Sequence, residues 1–301
     1  MKKIIVISGP TASGKTEKAV EFCRQNNGEI ISCDSRQVYK YLDAGTNKEG
    51  EVRQSVELRA KSEDNGKAAR QSIVRIIDGI PQYLTDIITP DETYSAADFV
   101  RDADITIDGI TARGKLPVIT GGTGLYIKAL LYGLDEMPPS NAEIRETFGG
   151  KTADELYEIL GKRDKEAAEK NKQNPQRLLR AIEINILSGK TVSEHYKPKK
   201  PRYDFVHYTI SVENEVLYKK INARCRHMIE NGMIEETEKV LSMGFAKDCP
   251  GLSGIGYRHI IKYLDKEISK DVLIEKFSKD TRHYAKRQNT WFKAQPDVRF
   301  I

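Results

Sequence analysis

An unbroken match to a phosphate-binding loop lies within the first sixteen residues of the chain. The run Gly9-Pro10-Thr11-Ala12-Ser13-Gly14-Lys15-Thr16 fits the pattern G-x-x-x-x-G-K-[ST] at every position. A stretch rich in β-branched residues precedes it and a segment with helical spacing follows it, which is the strand, loop and helix order that the motif needs. These flanks argue against a chance match in a glycine-rich turn. The motif therefore predicts an α/β fold in which the loop opens the first helix.

The loop predicts how a phosphate group is held. Its backbone N–H groups converge at a helix N-terminus, where they and the positive end of the helix dipole bind phosphate oxygens. Lys15 adds a positive charge, and the Thr16 hydroxyl stands where a Mg²⁺ ion bridging two phosphate groups takes a ligand. Mg²⁺ is therefore the expected cofactor, with Thr16 as its protein ligand. The loop alone leaves the phosphate compound open.

Size and composition exclude several classes of protein. The 301 residues are enough for one large α/β core with an inserted smaller unit, or for two domains. Four cysteines form no C-x-x-C pair, and the longest apolar runs are far short of a membrane span. Met1-Lys2-Lys3 leads directly into the first predicted strand, without the apolar segment of a signal peptide. We therefore expect a reduced, cytoplasmic protein without a membrane segment.

Two further strand ends carry polar or glycine-rich sequence. Residues 29–33 are predicted to form a buried strand that ends at Asp34, and residues 116–120 form another that ends at Gly121-Gly122-Thr123-Gly124. Ligands of open α/β sheets bind outside the carboxyl ends of the strands, so both ends should face the phosphate loop. Asp34 also suits a helix N-cap, and the glycines also suit a tight structural turn. The spacing leaves these alternatives open.

The middle of the chain predicts an inserted helical domain. Residues 138–200 have purely helical periodicity between proline-marked ends, so residues 1–137 and 201–301 would form the two parts of the core. One of its helices opens after Asn174-Pro175 and contains Arg177 and Arg180. Solvated charge is the ordinary explanation for two arginines three residues apart.

Arg224 lies at the edge of an apolar helical face. That face is formed by Leu217, Ile221, Cys225 and Met228, and Arg224 lies about 20° from Leu217 around the helix. A half-buried arginine needs an anion, which is either a ligand or an internal carboxylate.

The closing helix interleaves basic and aromatic residues, including Arg282, Lys286, Arg287 and Trp291. Cations bind backbone phosphates and aromatic rings stack on exposed bases, so this composition suits a nucleic acid. A solvated amphipathic helix is the alternative. Residues 47–80 are highly charged, and Asp64-Asn65-Gly66 between two weakly alternating stretches is compatible with a hairpin, although the first stretch also fits a helix.

Taken together, these motifs resemble the bacterial tRNA dimethylallyltransferases, the tRNA isopentenyltransferase family. Other blocks that look like this family follow in its order: Asp34-Ser35 with Val38-Tyr39, Asp43-x-Gly45-Thr46-x-Lys48, Tyr94-Ser95-x-x-Asp98-Phe99, Asn174-Pro175-Gln176-Arg177-Leu178-x-Arg180, Gly254-Ile255-Gly256-Tyr257-Arg258 and Lys286-Arg287-Gln288-x-Thr290-Trp291. The resemblance covers nearly the whole chain. Two stretches differ: Pro81-Gln82-Tyr83-Leu84 stands where the family commonly has Pro-His-His-Leu, and the segment after Lys48 is longer than usual.

The resemblance implies a P-loop NTPase-like core and a prenyl transfer. The N6 amine of adenosine 37 in the tRNA anticodon loop attacks C1 of dimethylallyl diphosphate, and diphosphate leaves. Residues 9–16 and Mg²⁺ would hold the diphosphate, and Asp34 would be the general base. Lys15, Thr16, Thr123 and Arg224 complete the implied catalytic set.

The resemblance also implies a tRNA-binding surface. Its residues are Asp34, Ser35, Arg36, Gln37, Thr123, Arg145, Gln176, Arg177, Leu178, Leu179, Arg180, Tyr257, Arg258, Arg282, Lys286, Arg287 and Trp291. We expect a monomer whose partners are tRNA and dimethylallyl diphosphate. A P-loop kinase that transfers phosphate from ATP to a small molecule is the alternative function, because residues 9–16 would serve it equally well.

Overall fold

A mixed eight-stranded sheet forms the centre of the larger unit in the computed structural model, which describes residues 1–58 and 70–301. The strands are β1 (Lys3–Ser8), β2 (Gly28–Ser32), β3 (Glu51–Leu58), β4 (Arg70–Ile77), β5 (Ile80–Thr85), β6 (Leu116–Gly121), β7 (Asp204–Thr209) and β8 (Val298–Phe300). Their order across the sheet is β3-β4-β5-β2-β6-β1-β7-β8. The six strands from β5 to β8 pair in parallel, whereas β3 and β4 are antiparallel. The predicted α/β fold with a parallel core is confirmed.

Seven helices of this unit connect and cover the strands. They are α1 (Lys15–Asn26), α2 (Ala96–Ala112), α3 (Gly124–Tyr132), α8 (Asn214–Glu230), α9 (Met233–Ser242), α10 (Ile255–Leu264) and α11 (Lys270–Lys293). Ile5 and Ile7 of β1 pack with Val20 of α1, and because side chains alternate along a strand, Ile4 and Val6 point to the opposite face. All four isoleucine and valine side chains of β1 are buried. This explains the continuous apolar run before the phosphate loop.

The long segment after Lys48 contains β3 and β4, which pair antiparallel as expected for a hairpin. The turn expected at residues 64–66 lies outside the described residues. Arg75 of β4 donates two hydrogen bonds to Asp86 at 3.0 and 3.1 Å, and Lys48 donates to the same carboxylate at 2.5 Å. All three side chains are almost fully buried. A buried charge is stable only when it is paired, so this cluster fixes the hairpin to the edge of the sheet.

A second compact unit comprises residues 132–200. Its helices are α4 (Ala142–Phe148), α5 (Ala153–Gly161), α6 (Lys165–Asn171) and α7 (Pro175–Ser188). Asn174 accepts a hydrogen bond from the Arg177 N–H at the start of α7, and Gly189 ends that helix with φ of 69°. The predicted insertion, 138–200, lies inside this unit, and its assignment to tRNA remains a prediction.

The four cysteines are free and buried. Every helix in the two described ranges is too short or too polar to cross a bilayer.

Candidate active site

A cavity of about 310 Å³ lies at the carboxyl ends of β1, β2 and β6. It brings Lys15 and Thr16 of the phosphate loop together with Asp34 and with the distant Arg224. Its wall consists of Thr11, Ala12, Gly14, Lys15, Thr16, Glu17, Ser32, Asp34, Gln37, Thr46, Asn47, Glu49, Gln82, Thr120, Gly121, Gly122, Arg224, Tyr284 and Gln288. Most of these side chains are polar, so the cavity suits a ligand with charged and hydrogen-bonding groups.

The phosphate loop connects β1 to α1 through two glycines whose backbone angles other residues rarely adopt. Gly14 has φ of 85°. Gly9 has φ of 152°, and a Cβ added to it would lie only 3.0 Å from the Ser13 hydroxyl oxygen. The N–H groups of Lys15 and Thr16 belong to the first turn of α1 and therefore have no acceptor within the helix. These groups are free to bind an anion at the cavity.

The Lys15 side chain is hydrogen-bonded within the phosphate loop. Its ammonium donates a hydrogen bond to the Pro10 carbonyl at 2.6 Å. Burial, and to a lesser degree the nearby Arg224, lower the pKa of Lys15 to about 8, while Asp34 opposes the shift. The charged lysine is therefore destabilised in the empty protein, and an anion would relieve this cost.

Arg224 projects from α8 at the edge of the apolar face that the sequence predicts, and Leu217, Ile221, Cys225 and Met228 are all buried. Burial lowers the pKa of the guanidinium, which Asp34 partly opposes. Within the described ranges, Arg224 forms no ion pair with a carboxylate at 4 Å or less. The internal salt bridge that the sequence left open is therefore not formed, and the cation is available to a ligand.

Asp34 lies two residues after the end of β2 and does not cap a helix, because residues 35–38 form turns. One carboxylate oxygen, Oδ1, accepts a hydrogen bond from the Arg36 N–H at 2.8 Å, as in an Asx turn. The N-cap alternative is wrong. The other oxygen, Oδ2, has no hydrogen-bond partner in residues 1–58 and 70–301.

The glycine-rich turn after β6 is both tight and adjacent to the cavity. A Cβ on Gly121 would lie 2.0 Å from the Cys33 carbonyl oxygen, so only glycine allows β6 to end beside Asp34. The Thr123 hydroxyl accepts a hydrogen bond from the Ser35 N–H at 3.0 Å. Thr123 therefore braces the turn that carries Asp34.

The sequence did not predict the part that Gln288 plays. Its Oε1 accepts a hydrogen bond from the Thr11 N–H at 2.8 Å, and its Nε2 donates to the Gly122 carbonyl at 2.9 Å. One buried side chain of α11 thus joins the two glycine-rich loops. In the sequence, Gln288 stands out only as an uncharged polar residue one helical turn after Tyr284 in a basic helix. That feature does not predict a link between the two loops.

Gln37 is expected to contact the tRNA, but its side-chain amide is hydrogen-bonded to groups of the protein. Its Oε1 accepts hydrogen bonds from Ser32 at 2.7 Å and Gln82 at 3.2 Å, and its Nε2 donates to the Thr46 and Asn47 carbonyls. Gln82 stands where the family resemblance predicts a histidine. It also lines the cavity.

Three other expected tRNA residues of the larger unit also have internal partners. Arg36 donates to the Pro250 carbonyl at 3.0 Å, and Arg282 donates to Asn222 at 2.6 Å. Tyr257 is only 2% exposed and donates to Glu236 at 2.7 Å, so the structure gives it a packing role in place of the expected tRNA contact. Arg258, Lys286 and Arg287 are exposed, and Trp291 packs against Gly124.

In the helical unit, Gln176 and Arg177 are exposed at the start of α7, and Leu179 is half-buried. Leu178 is fully buried in the core of the unit, so its side chain packs instead of meeting tRNA. Arg145 and Arg180 both donate to the buried Glu183. Although burial alone would raise it, these hydrogen bonds hold the pKa of Glu183 below its usual value.

Thr16 fits the role of a Mg²⁺ ligand. Its hydroxyl lines the cavity and makes no hydrogen bond to any described residue. Residues 1–58 and 70–301 contain no cluster of three or more acidic, histidine or cysteine side chains that could form a cage for a metal ion. Mg²⁺ commonly keeps several waters and binds through few protein groups plus substrate phosphates, which agrees with this donor set.

Comparisons with known proteins show which family the chain resembles. Residues 68–295 match the family model described as IPP transferase. The chain is 67% identical over 298 residues to a tRNA dimethylallyltransferase of Endomicrobium trichonymphae, covering 99% of this chain and 94% of the relative. A tRNA isopentenylpyrophosphate transferase of Bacillus halodurans, solved by crystallography, is 32% identical with a TM-score of 0.68, covering 100% of this chain and 90% of that one.

The fold is also that of a eukaryotic dimethylallyltransferase whose crystal structures show it acting on tRNA. The TM-score is 0.76 at 24% identity, covering 100% of this chain and 74% of that one. These matches confirm the family resemblance of the sequence motifs. The chain belongs to the IPP transferase family.

Proposed function

We propose that the protein transfers a dimethylallyl group from dimethylallyl diphosphate to N6 of adenosine 37 in the tRNA anticodon loop and releases diphosphate. One observation carries this proposal: a single cavity contains two cations, Lys15 and Arg224, and a carboxylate, Asp34, that form no ion pair at 4 Å or less with any described residue. The cations suit a diphosphate, and the carboxylate suits a nucleophile that must lose a proton. The printed name of the 67% identical relative supports the same substrates.

The phosphate loop and the two cations would stabilise the leaving group. As the new N6–C1 bond forms, the bond from C1 to the diphosphate oxygen breaks, and negative charge accumulates on the diphosphate. Lys15 would leave the Pro10 carbonyl for a diphosphate oxygen, and Arg224 would approach from α8. Mg²⁺, when bound at Thr16, supplies further neutralisation of that charge. The N–H groups at the start of α1 are already in place, so they can stabilise this charge without rearrangement.

Asp34 would accept the proton of the attacking amine. The N6 group is not acidic in free adenosine, but it becomes strongly acidic once bond formation places positive charge on it. A carboxylate in contact is then a sufficient base. Its Oδ2, which is unpartnered among the described residues, is the oxygen available for that proton.

The tRNA would be held by exposed basic and amide side chains. Arg258, Lys286 and Arg287 are exposed in the larger unit, and Gln176 and Arg177 in the helical one. We propose that they contact the tRNA backbone while the adenosine is flipped out of the anticodon loop. A cytoplasmic monomer is part of the same proposal.

A transfer assay tests the proposed function. The purified protein is mixed with unmodified tRNA and either labelled dimethylallyl diphosphate or ATP labelled on its γ-phosphate. We expect prenyl label on adenosine 37 and no phosphate transfer, whereas a kinase would consume ATP. Asp34→Asn should lower the rate about 100-fold or more, because it removes the base and keeps the shape.

The same variant should still bind tRNA, and Asp108→Asn, which changes an exposed carboxylate on α2, should react like the wild type. Wild-type turnover by Asp34→Asn would refute the assignment of the base.

A further inference from the structure

Tyr284 forms part of the cavity wall at a well-fixed point of α11. Gln288, one helical turn later, joins this stretch of the helix to both glycine-rich loops. The Arg287 guanidinium lies 5.8 Å from the centre of the Tyr284 ring. The ring is therefore bordered by a cation on its own helix, and its position does not depend on a mobile loop.

Tyr284 is half-buried, and its hydroxyl has no hydrogen-bond partner in the two described ranges. A tyrosine hydroxyl can donate and accept hydrogen bonds, so this one is available to a ligand in the cavity. Burial, and then the nearby Asp34, raise the pKa of Tyr284 above its usual value. The phenol therefore remains protonated at neutral pH and can donate a hydrogen bond to a ligand.

Asp34 and Tyr284 line the same cavity. Asp34 offers an acceptor, Oδ2, whereas Tyr284 offers a donor. This part of the wall thus presents an acceptor and a donor, each without a partner among the described residues.

Adenine has the complementary pattern. Its N6 amine is a donor, and the ring nitrogens on either side of it, N1 and N7, are acceptors. Guanine carries an acceptor, O6, where adenine carries the amine, so it would oppose the Asp34 carboxylate. We infer that Tyr284 recognises the substrate base: its hydroxyl donates to N1 or N7 of the adenine whose N6 amine faces Asp34. This inference rests on the proposed function.

The test compares three substrates that differ by one atom. Anticodon stem-loops carrying adenosine, 1-deazaadenosine or 7-deazaadenosine at position 37 are offered to the wild type and to Tyr284→Phe. Tyr284→Phe should lower kcat/KM on adenosine about 5-fold, as expected for one neutral hydrogen bond, and leave the KM of dimethylallyl diphosphate unchanged. With the wild type, kcat/KM on one of the two deaza substrates should also be about 5-fold lower than on adenosine. With Tyr284→Phe, kcat/KM on that deaza substrate should equal kcat/KM on adenosine.

That deaza substrate identifies the nitrogen. An equal loss by the variant on all three substrates would overturn the inference, because it would show that the hydroxyl acts on the protein and not on the base. Wild-type protein alone gives a second measurement, since equal rates on all three substrates would also overturn it. This comparison remains valid even if the variant folds poorly.

Tyr203→Phe is the matched control. The Tyr203 side chain is buried, and its hydroxyl donates to a carboxylate, Asp104, away from the cavity wall. Its removal should leave kcat/KM unchanged. Failure of the inference is distinguishable from failure of the proposed function: a wild type that prenylates none of the stem-loops contradicts the function, whereas prenylation without the substrate-specific loss contradicts only the role of Tyr284.

Discussion

Raising the pH from 7 to 9 should weaken the binding of dimethylallyl diphosphate, because Lys15 loses its proton in the empty protein. Burial and Arg224 lower the pKa of Lys15 to about 8. A bound diphosphate places negative charge beside the ammonium and raises this pKa again. The ligand therefore binds mainly to the protonated protein, and each binding event near pH 8 must take up a proton.

The expected size follows from the fraction of lysine that is protonated. With a pKa of about 8, roughly nine-tenths of Lys15 is charged at pH 7 and roughly one-tenth at pH 9, so Kd should rise about 10-fold, or about 1.4 kcal/mol. At pH 8 about half a proton should be taken up per ligand bound. The second ionisation of a phosphate group lies near pH 6, so the ligand itself hardly changes its charge in this window.

Isothermal titration calorimetry measures both quantities. A thiolo analogue of dimethylallyl diphosphate, which is not transferred, is titrated at pH 7, 8 and 9 in buffers with different heats of ionisation. Proton uptake appears as a dependence of the binding heat on the buffer. The titration is repeated without Mg²⁺ to separate the lysine from the metal.

Lys15→Arg is the control, because a guanidinium keeps its charge throughout this range. Its Kd should be nearly constant between pH 7 and 9, whatever its absolute affinity. A wild-type Kd that is also constant, with no proton uptake at pH 8, would refute the argument that burial lowers the pKa of Lys15.

Three further changes test other parts of the site. Arg224→Gln should weaken binding of dimethylallyl diphosphate by about 2–5 kcal/mol and leave tRNA affinity unchanged; a lower slope of log tRNA affinity against log salt, with intact prenyl kinetics, would instead place Arg224 at the tRNA. Gln288→Leu leaves the Thr11 N–H and the Gly122 carbonyl unpaired, so the free energy of unfolding in urea should fall by about 2–4 kcal/mol, and a loss below about 1 kcal/mol would contradict its bridging role. Replacing residues 138–200 by a short linker should reduce tRNA binding far more than diphosphate binding, whereas equal losses would mean that the core needs this unit to fold.

Local features of the fold could be predicted from the sequence because they depend on neighbouring residues. The glycine positions of the phosphate loop require backbone angles that only glycine adopts readily, and this holds wherever the loop lies. Helix α7 begins at Pro175, directly after its N-cap Asn174, and ends before its C-cap Gly189, as these residues predict. The apolar run of β1 predicts a strand that is buried on both faces.

The hairpin of β3 and β4 shows where local information becomes insufficient. Its first stretch fits a helix or a strand, since short apolar patterns do not separate the two. The first stretch forms strand β3 because it pairs with β4, and Arg75 of β4 shares the buried carboxylate of Asp86 with Lys48. Lys48 and Asp86 lie outside the two strands, so the pattern within the hairpin does not contain them.

The sequence by itself predicted which residues suit phosphate, Mg²⁺ and a reactive amine, namely the phosphate loop, Thr16 and Asp34. Only the tertiary structure decided which of the other polar side chains face the cavity. Tyr257 is expected at the tRNA from its glycine-rich motif, yet its hydroxyl donates to Glu236 inside the protein. In contrast, Tyr284 and Gln288 reach the cavity from a helix whose composition predicts nucleic-acid binding. The physical reason is that a polar group is stable wherever it finds a partner, and the sequence shows the group without showing what the fold places beside it.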